Sequence, residues 1–98
     1  MNISKNKEGS LLTLSLSGRL DTMTAPELEK TINDNISGVD ELVLDLAELE
    51  YMSSAGLRVL LSAQKKMNAV GKMTVKNVNE MIMEIFEVTG FADILTIE

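Results

Sequence analysis

Ser53 and Ser54 are the side chains of this sequence best placed to carry chemistry. They stand between an apolar, strand-like run and an apolar segment of helical period, within VLDLAELEYMSSAGLRVLL, Val43 to Leu61. The first turn of a helix leaves backbone N–H groups unpaired and carries the positive end of the helix dipole. A hydroxyl there is suited to cap the helix or to carry a phosphate, and the residues alone leave Ser53 and Ser54 both open for either role. Other chemistry is thinly supplied. Histidine and cysteine are absent, which removes the imidazole base, the thiolate nucleophile and the thiolate metal ligand. Lys65 and Lys66, the nearest substitute bases, fall on the solvent arc of their helix. Neither GxGxxG nor GxxxxGK[ST] occurs, so no familiar nucleotide cradle is present. Asp45, Glu48 and Glu50 lack the spacing of a calcium loop, and the two glutamates read as solvated loop charges. The expectation is a protein that is not an enzyme and has no cofactor and no metal.

Composition narrows the partners. The 98 residues are expected to form a single domain spanning 1–98, with 45% hydrophobic and only 3% aromatic residues. The core must therefore be built from Leu, Ile, Val, Met and Ala, and few rings remain to stack on bases. Nine basic against fifteen acidic side chains give a net charge of -6. No cluster of Lys and Arg tracks a nucleic acid backbone or an anionic membrane. Proteins are the expected partners. The polar start, MNISKNKEGS, has no signal-peptide character, and no run is long enough to span a bilayer, so a cytoplasmic location is expected.

The elements that must position the serines follow from periodicity. Ile3 to Glu8 reads as a poor edge strand before a turn at Gly9. Leu12, Leu14 and Leu16 alternate with polar residues in a second strand that Gly18 is expected to end, with Asp21 in the turn beyond. Thr24-Ala25-Pro26-Glu27 has the form of a capping box and opens a helix carrying Leu28, Ile32 and Ile36 on one face, with Gly38 as its stop. Leu42 to Leu46, nearly all apolar, predicts a central parallel strand buried on both faces.

The helix after the serines places Leu57, Leu60, Leu61, Ala63, Met67 and Val70 on an apolar arc and Arg58, Ser62, Lys65 and Lys66 on the opposite one, with the two lysines suiting the C-terminal dipole before Gly71. Arg58 and Ser62 are the surface residues that a partner reading Ser54 would also touch. Met73 and Val75 mark a strand, Asn77 or Asn79 caps a helix with Ile82, Ile85 and Phe86 that closes at Gly90, and Leu95 with Ile97 predicts a last short strand. Met52, Met67, Met73, Met81 and Met83 read mainly as core filling. The order predicts an α/β domain with a mixed, mostly parallel sheet of four to five strands and three or four helices, the first strand pair antiparallel.

LVLDLAELEYMSSAGLRVLL resembles the STAS domain of bacterial anti-sigma factor antagonists: a buried strand, a short loop, then Ser-Ser-Ala-Gly-Leu entering a helix. GRLDTMTAPELEKTI is similar to the family's earlier strand, acidic turn and helix, and MTVKNVNEMIMEIFEVTGF to its closing strand and helix, so the likeness covers essentially the whole chain. The resemblance implies a STAS-like fold and a partner-switching function. In such systems the unphosphorylated antagonist binds an anti-sigma factor that is also a serine kinase, is released on phosphorylation, and is reset by a serine phosphatase. By position the resemblance implies Ser54 as phosphate acceptor, with Asp21, Ala55 and Gly56 as its environment and Thr22, Met23, Ser53, Leu57, Arg58 and Ser62 as partner contacts. In the family's best-known pattern Asp precedes the acceptor and Ser follows it. Here Ser53 and Ala55 take those places, which makes Ser53 a rival acceptor. The alternative reading is a STAS module that binds a small ligand or a protein and is never phosphorylated.

Overall fold

Two β-bulges decide how the central strand presents its side chains. In the computed structural model, which describes all residues from Met1 to Glu98, this strand, β3, runs over Glu41–Met52. Its neighbour β2 spans Leu11–Leu20 and lies parallel to it, with Ser15 opposite Asp45 but Ser17 opposite Glu48, and Gly18 opposite Leu49 but Arg19 opposite Tyr51. Each break inserts an extra residue into β3, and each extra residue reverses which face the next side chain meets. Hence Leu42, Leu44, Leu46, Leu49 and Met52 all turn into the core, with at most 2% exposure. Glu48 and Glu50, expected in a loop, are exposed strand residues instead. The sequence pattern hides this because alternation stops at Leu46, which mimics the end of a strand. Gly18 is likewise a kink within β2 and not its end: its φ of +90 is left-handed, and the strand continues to Leu20.

The remaining elements are β1 (Asn2–Glu8), α1 (Ala25–Asn35), α2 (Ser54–Val70), β4 (Lys72–Lys76) and α3 (Glu80–Thr89), followed by a 3-10 turn at Phe91–Asp93. The sheet order is β1-β2-β3-β4, with β1 antiparallel at one edge and the other pairs parallel. Because this order always advances in one direction, right-handed crossovers put α1 and α2 on the same face. Their buried residues join those of α3 and of the strands in one cluster of 23 side chains. The expected burial of β3 on both faces is therefore corrected. Val43 and Asp45, on the face without crossover helices, are half-buried. The expected fifth strand is also reduced, to a single parallel bridge between Val75 and Ile97.

Local signals explain most helix ends. Asn79, rather than Asn77, caps α3: its Oδ1 accepts the Ile82 N–H at 2.9 Å, and its Nδ2 donates to the Leu49 carbonyl at 3.0 Å. Gly90 closes that helix in the left-handed region at φ 82. Asn77, also left-handed at φ 59, donates instead to Asp45 and ties the end of β4 to β3. Val70, expected on the apolar arc, is 58% exposed at the last position of α2. Lys65 and Lys66 are exposed as expected but stand short of the last turn, so the dipole pairing is not made. Met52, Met67 and Met73 are buried, Met83 is half-buried, and Met81 is 48% exposed.

Candidate functional site

Parallel crossovers bring the N-termini of α1, α2 and α3 to the carboxyl ends of β2, β3 and β4. At the end of β2 and β3, Leu20 pairs with Met52, so Asp21 and Ser53 are the next residues along two adjoining strands. The Ser53 N–H donates to the Leu20 carbonyl at 2.8 Å, which fixes where α2 begins. Gly56 completes the seat. A Cβ built there would lie 2.7 Å from Leu20 Cγ and 3.1 Å from Met52 Cγ, so only a glycine lets the first turn of α2 rest on the ends of both strands.

The two serines differ sharply. Ser53 has the extended backbone of a helix cap, yet its hydroxyl makes no cap bond and is buried without a hydrogen-bond partner. Ser54, the first residue of α2, is exposed. The capping role that serines usually hold is thus filled by neither side chain. Ser53→Ala is expected to leave stability in urea denaturation unchanged or to raise it by up to about 1 kcal/mol, because it removes a buried hydroxyl that has no partner; loss of a working cap would instead cost about 1 kcal/mol.

The turn before α1 also departs from the expected capping box. Thr24 is in the right-handed helical region, φ -102 and ψ -18, where a cap side chain cannot reach the next turn. Its hydroxyl donates to the Arg19 carbonyl at 2.8 Å instead. Asp21 does the work: its Oδ1 accepts from the N–H groups of Met23 at 3.0 Å and Thr24 at 3.2 Å, and its carbonyl accepts from Ala25 at 2.8 Å. Arg19 stacks on the Tyr51 ring, 4.3 Å from its centroid, and stands 3.8 Å from Asp21.

Partial burial pushes the Asp21 carboxyl up, but the N–H groups of Thr24 and Met23, the Thr24 hydroxyl and Arg19 together hold it below the usual carboxylate value. Asp45 is also held low, first by Asn77 and, against burial, by the Ala47 N–H at the first bulge and by Lys76. Both folded-state values are depressed, so their stabilisation is complete above the unfolded carboxylate range near 3.8 and is lost as pH falls through the folded values. Asp21→Asn and Asp45→Asn are therefore each expected to flatten the acid limb of a plot of urea midpoint against pH, leaving less difference between pH 7 and pH 3.

An open groove of about 350 Å³ runs between the first turns of α1 and α2, lined by Thr22, Pro26 and Glu29 on one side and Ala55 and Arg58 on the other. The structure thus gathers Asp21, Thr22, Ser54, Ala55 and Arg58 at one end of the sheet. Met23 is 87% exposed on the same turn, and Ser62 is half-buried along α2. Leu57 is corrected: at 6% exposure it belongs to the core and offers no surface to a partner. The groove itself, the Arg19–Tyr51 stack and the turn-binding role of Asp21 were not foreseen. An Asp two and three residues before the N–H groups of the turn that leads into a helix was the available signal for the last.

A family model for the STAS domain matches residues 2–98. The chain belongs to the STAS family. It is 32% identical over 99 residues to BtrV of Bordetella bronchiseptica, provisionally named an anti-sigma factor antagonist, with 99% of this chain and 85% of that protein covered. It is 28% identical over 97 residues to the anti-sigma-B factor antagonist of Staphylococcus aureus, covering 97% of this chain and 90% of the relative. SpoIIAA, solved in unphosphorylated and phosphorylated forms, shares the fold with TM-scores of 0.79 and 0.78 at 17% and 18% identity, each over 99% of this STAS chain and 87% and 91% of its own. These likenesses accord with the α/β architecture described above, a mixed four-stranded sheet under three helices. No helix of this STAS domain is long and apolar enough to cross a membrane.

Proposed function

We propose that this STAS protein is an anti-sigma factor antagonist whose hold on an anti-sigma serine kinase is broken by phosphorylation of Ser54. The observation that carries the reading is the contrast between the serines: Ser54 is exposed on the first turn of α2, next to Ala55 in the lining of the α1–α2 groove, while the Ser53 hydroxyl is buried. A kinase must bring its phosphoryl donor in line with the attacking oxygen, and an oxygen out of contact with solvent offers no such approach. The names of the BtrV and Staphylococcus aureus relatives support the antagonist role, and the existence of SpoIIAA in a phosphorylated form supports a phosphate switch on this fold.

The unmodified surface, with Thr22, Met23, Arg58 and Ser62, is the proposed docking face. A phosphate on Ser54 adds about -1.5 to -2 charges there and three strong acceptors. A serine phosphatase would restore the binding form. The domain itself serves as substrate and ligand, not as catalyst, and it needs no cofactor for this role.

Incubation with ATP and the anti-sigma kinase, followed by mapping of phosphate by mass spectrometry, tests the assignment. Label on Ser54 that disappears in Ser54→Ala is the expected result. Label confined to Ser53 would move the acceptor. A chain that no anti-sigma kinase labels, but whose unfolding temperature rises with a small ligand, would instead be the unphosphorylated binding module, for which the open groove is the natural seat.

A further inference from the structure

We infer that Arg58 is the intramolecular counter-ion of a phosphate on Ser54, so that phosphorylation both adds negative charge and withdraws a cation from the docking face. The inference rests on the reading of Ser54 as acceptor. Ser54 and Arg58 are four residues apart on α2, one helical turn, and both are exposed. Helical side chains lean toward the N-terminus, so the Arg58 side chain, which lines the α1–α2 groove beside Ala55, is within reach of the turn that carries Ser54. The guanidinium is uncommitted: the three ion pairs of the molecule are Arg19–Asp21, Lys30–Asp34 and Lys72–Glu41. Glu29 lines the same groove from α1 but forms no ion pair with Arg58, and Asp21 is already engaged by Arg19 and its own turn. Arg58 is therefore the cation one turn from the acceptor with no carboxylate holding it.

Its chemistry fits the assignment. A guanidinium presents paired N–H donors that match two phosphate oxygens, and a dianion draws it more strongly than the single charge of Glu29. Before phosphorylation Arg58 is free to meet an acidic or carbonyl-rich patch of the partner. Afterwards it turns to the phosphate. The pairing also shields part of the new charge from the turn before α1, where Asp21 stands.

Protein carrying phosphoserine at position 54, installed during translation so that no kinase is needed, tests this directly. Titration by 31P NMR is expected to give a midpoint about 0.5 pH unit lower in the parent than in Arg58→Gln, with Arg58→Lys between them. The side-chain N–H resonance of Arg58 is expected to move when the phosphate is present. Coincident midpoints for the parent and Arg58→Gln, with an unmoved Arg58 resonance, overturn the inference and leave Ser54 as acceptor untouched. A kinase that ignores Ser54 would sink the proposed switch without altering this measurement.

Discussion

Phosphoserine at position 54 is expected to weaken the complex with the anti-sigma kinase by at least about 100-fold, measured by calorimetric titration of the two forms. Two charges must be stripped of water against a surface shaped for a neutral hydroxyl. Like-charge contact across an interface costs several kcal/mol, and about 2.8 kcal/mol already accounts for a hundredfold change. Within the domain the same group meets the positive end of α2, which favours it by about 0.3–1 kcal/mol, so the unfolding transition should scarcely move. The separation of the two effects is the signature to look for. Ser54→Asp, with one charge and a shorter reach, should lose less affinity than the phosphorylated form. Equal affinity of phosphorylated and unmodified protein would refute the switch, and a collapse in stability would point to Ser54 as a structural residue.

Gly56→Val is expected to destabilise the domain by about 3 kcal/mol, seen as a fall of more than about 10 °C in Tm. Replacing a helical glycine ordinarily helps, by up to about 1 kcal/mol for alanine, because the unfolded chain loses freedom. Here a first Cβ already falls 2.7 Å from Leu20 Cγ and 2.9 Å from its Cδ2, and Leu20 is wholly buried with no room to swing aside. The valine methyls add to that clash. Relief requires α2 to lift from the ends of β2 and β3, which would also carry Ser54 and Arg58 away from the turn at Asp21. Partner binding should therefore fall with stability in Gly56→Val, whereas in the phosphorylated protein it falls alone.

The contrast between these variants marks how far linear pattern reaches. Alternation at Leu12, Leu14 and Leu16 and the four-residue recurrence of Leu28 and Ile32 identified their elements because each signal is local: a strand or helix with one buried face repeats on its own period. The closing signal at Gly90 is local too, whereas Gly71 is a glycine because the Asp40 backbone leaves no room there for a Cβ. The bulges in β3 could not be seen this way. They follow from pairing with β2, thirty residues away, and appear in sequence only as a broken alternation that looks like a loop.

The candidate site divides along the same line. By itself the sequence determined that a serine pair opens an apolar helix in a chain without histidine or cysteine, and its likeness to the STAS family singled out Ser54. Only the tertiary structure decided that the Ser53 hydroxyl is buried while Ser54 is exposed, that Leu57 serves the core, that Asp21 rather than Thr24 holds the start of α1, and that α1 and α2 leave a groove whose lining includes Ala55, next to Ser54. The physical reason is range. Periodicity records which face of an element is apolar, whereas exposure of one oxygen depends on the register of two strands and on how closely one glycine lets a helix approach them.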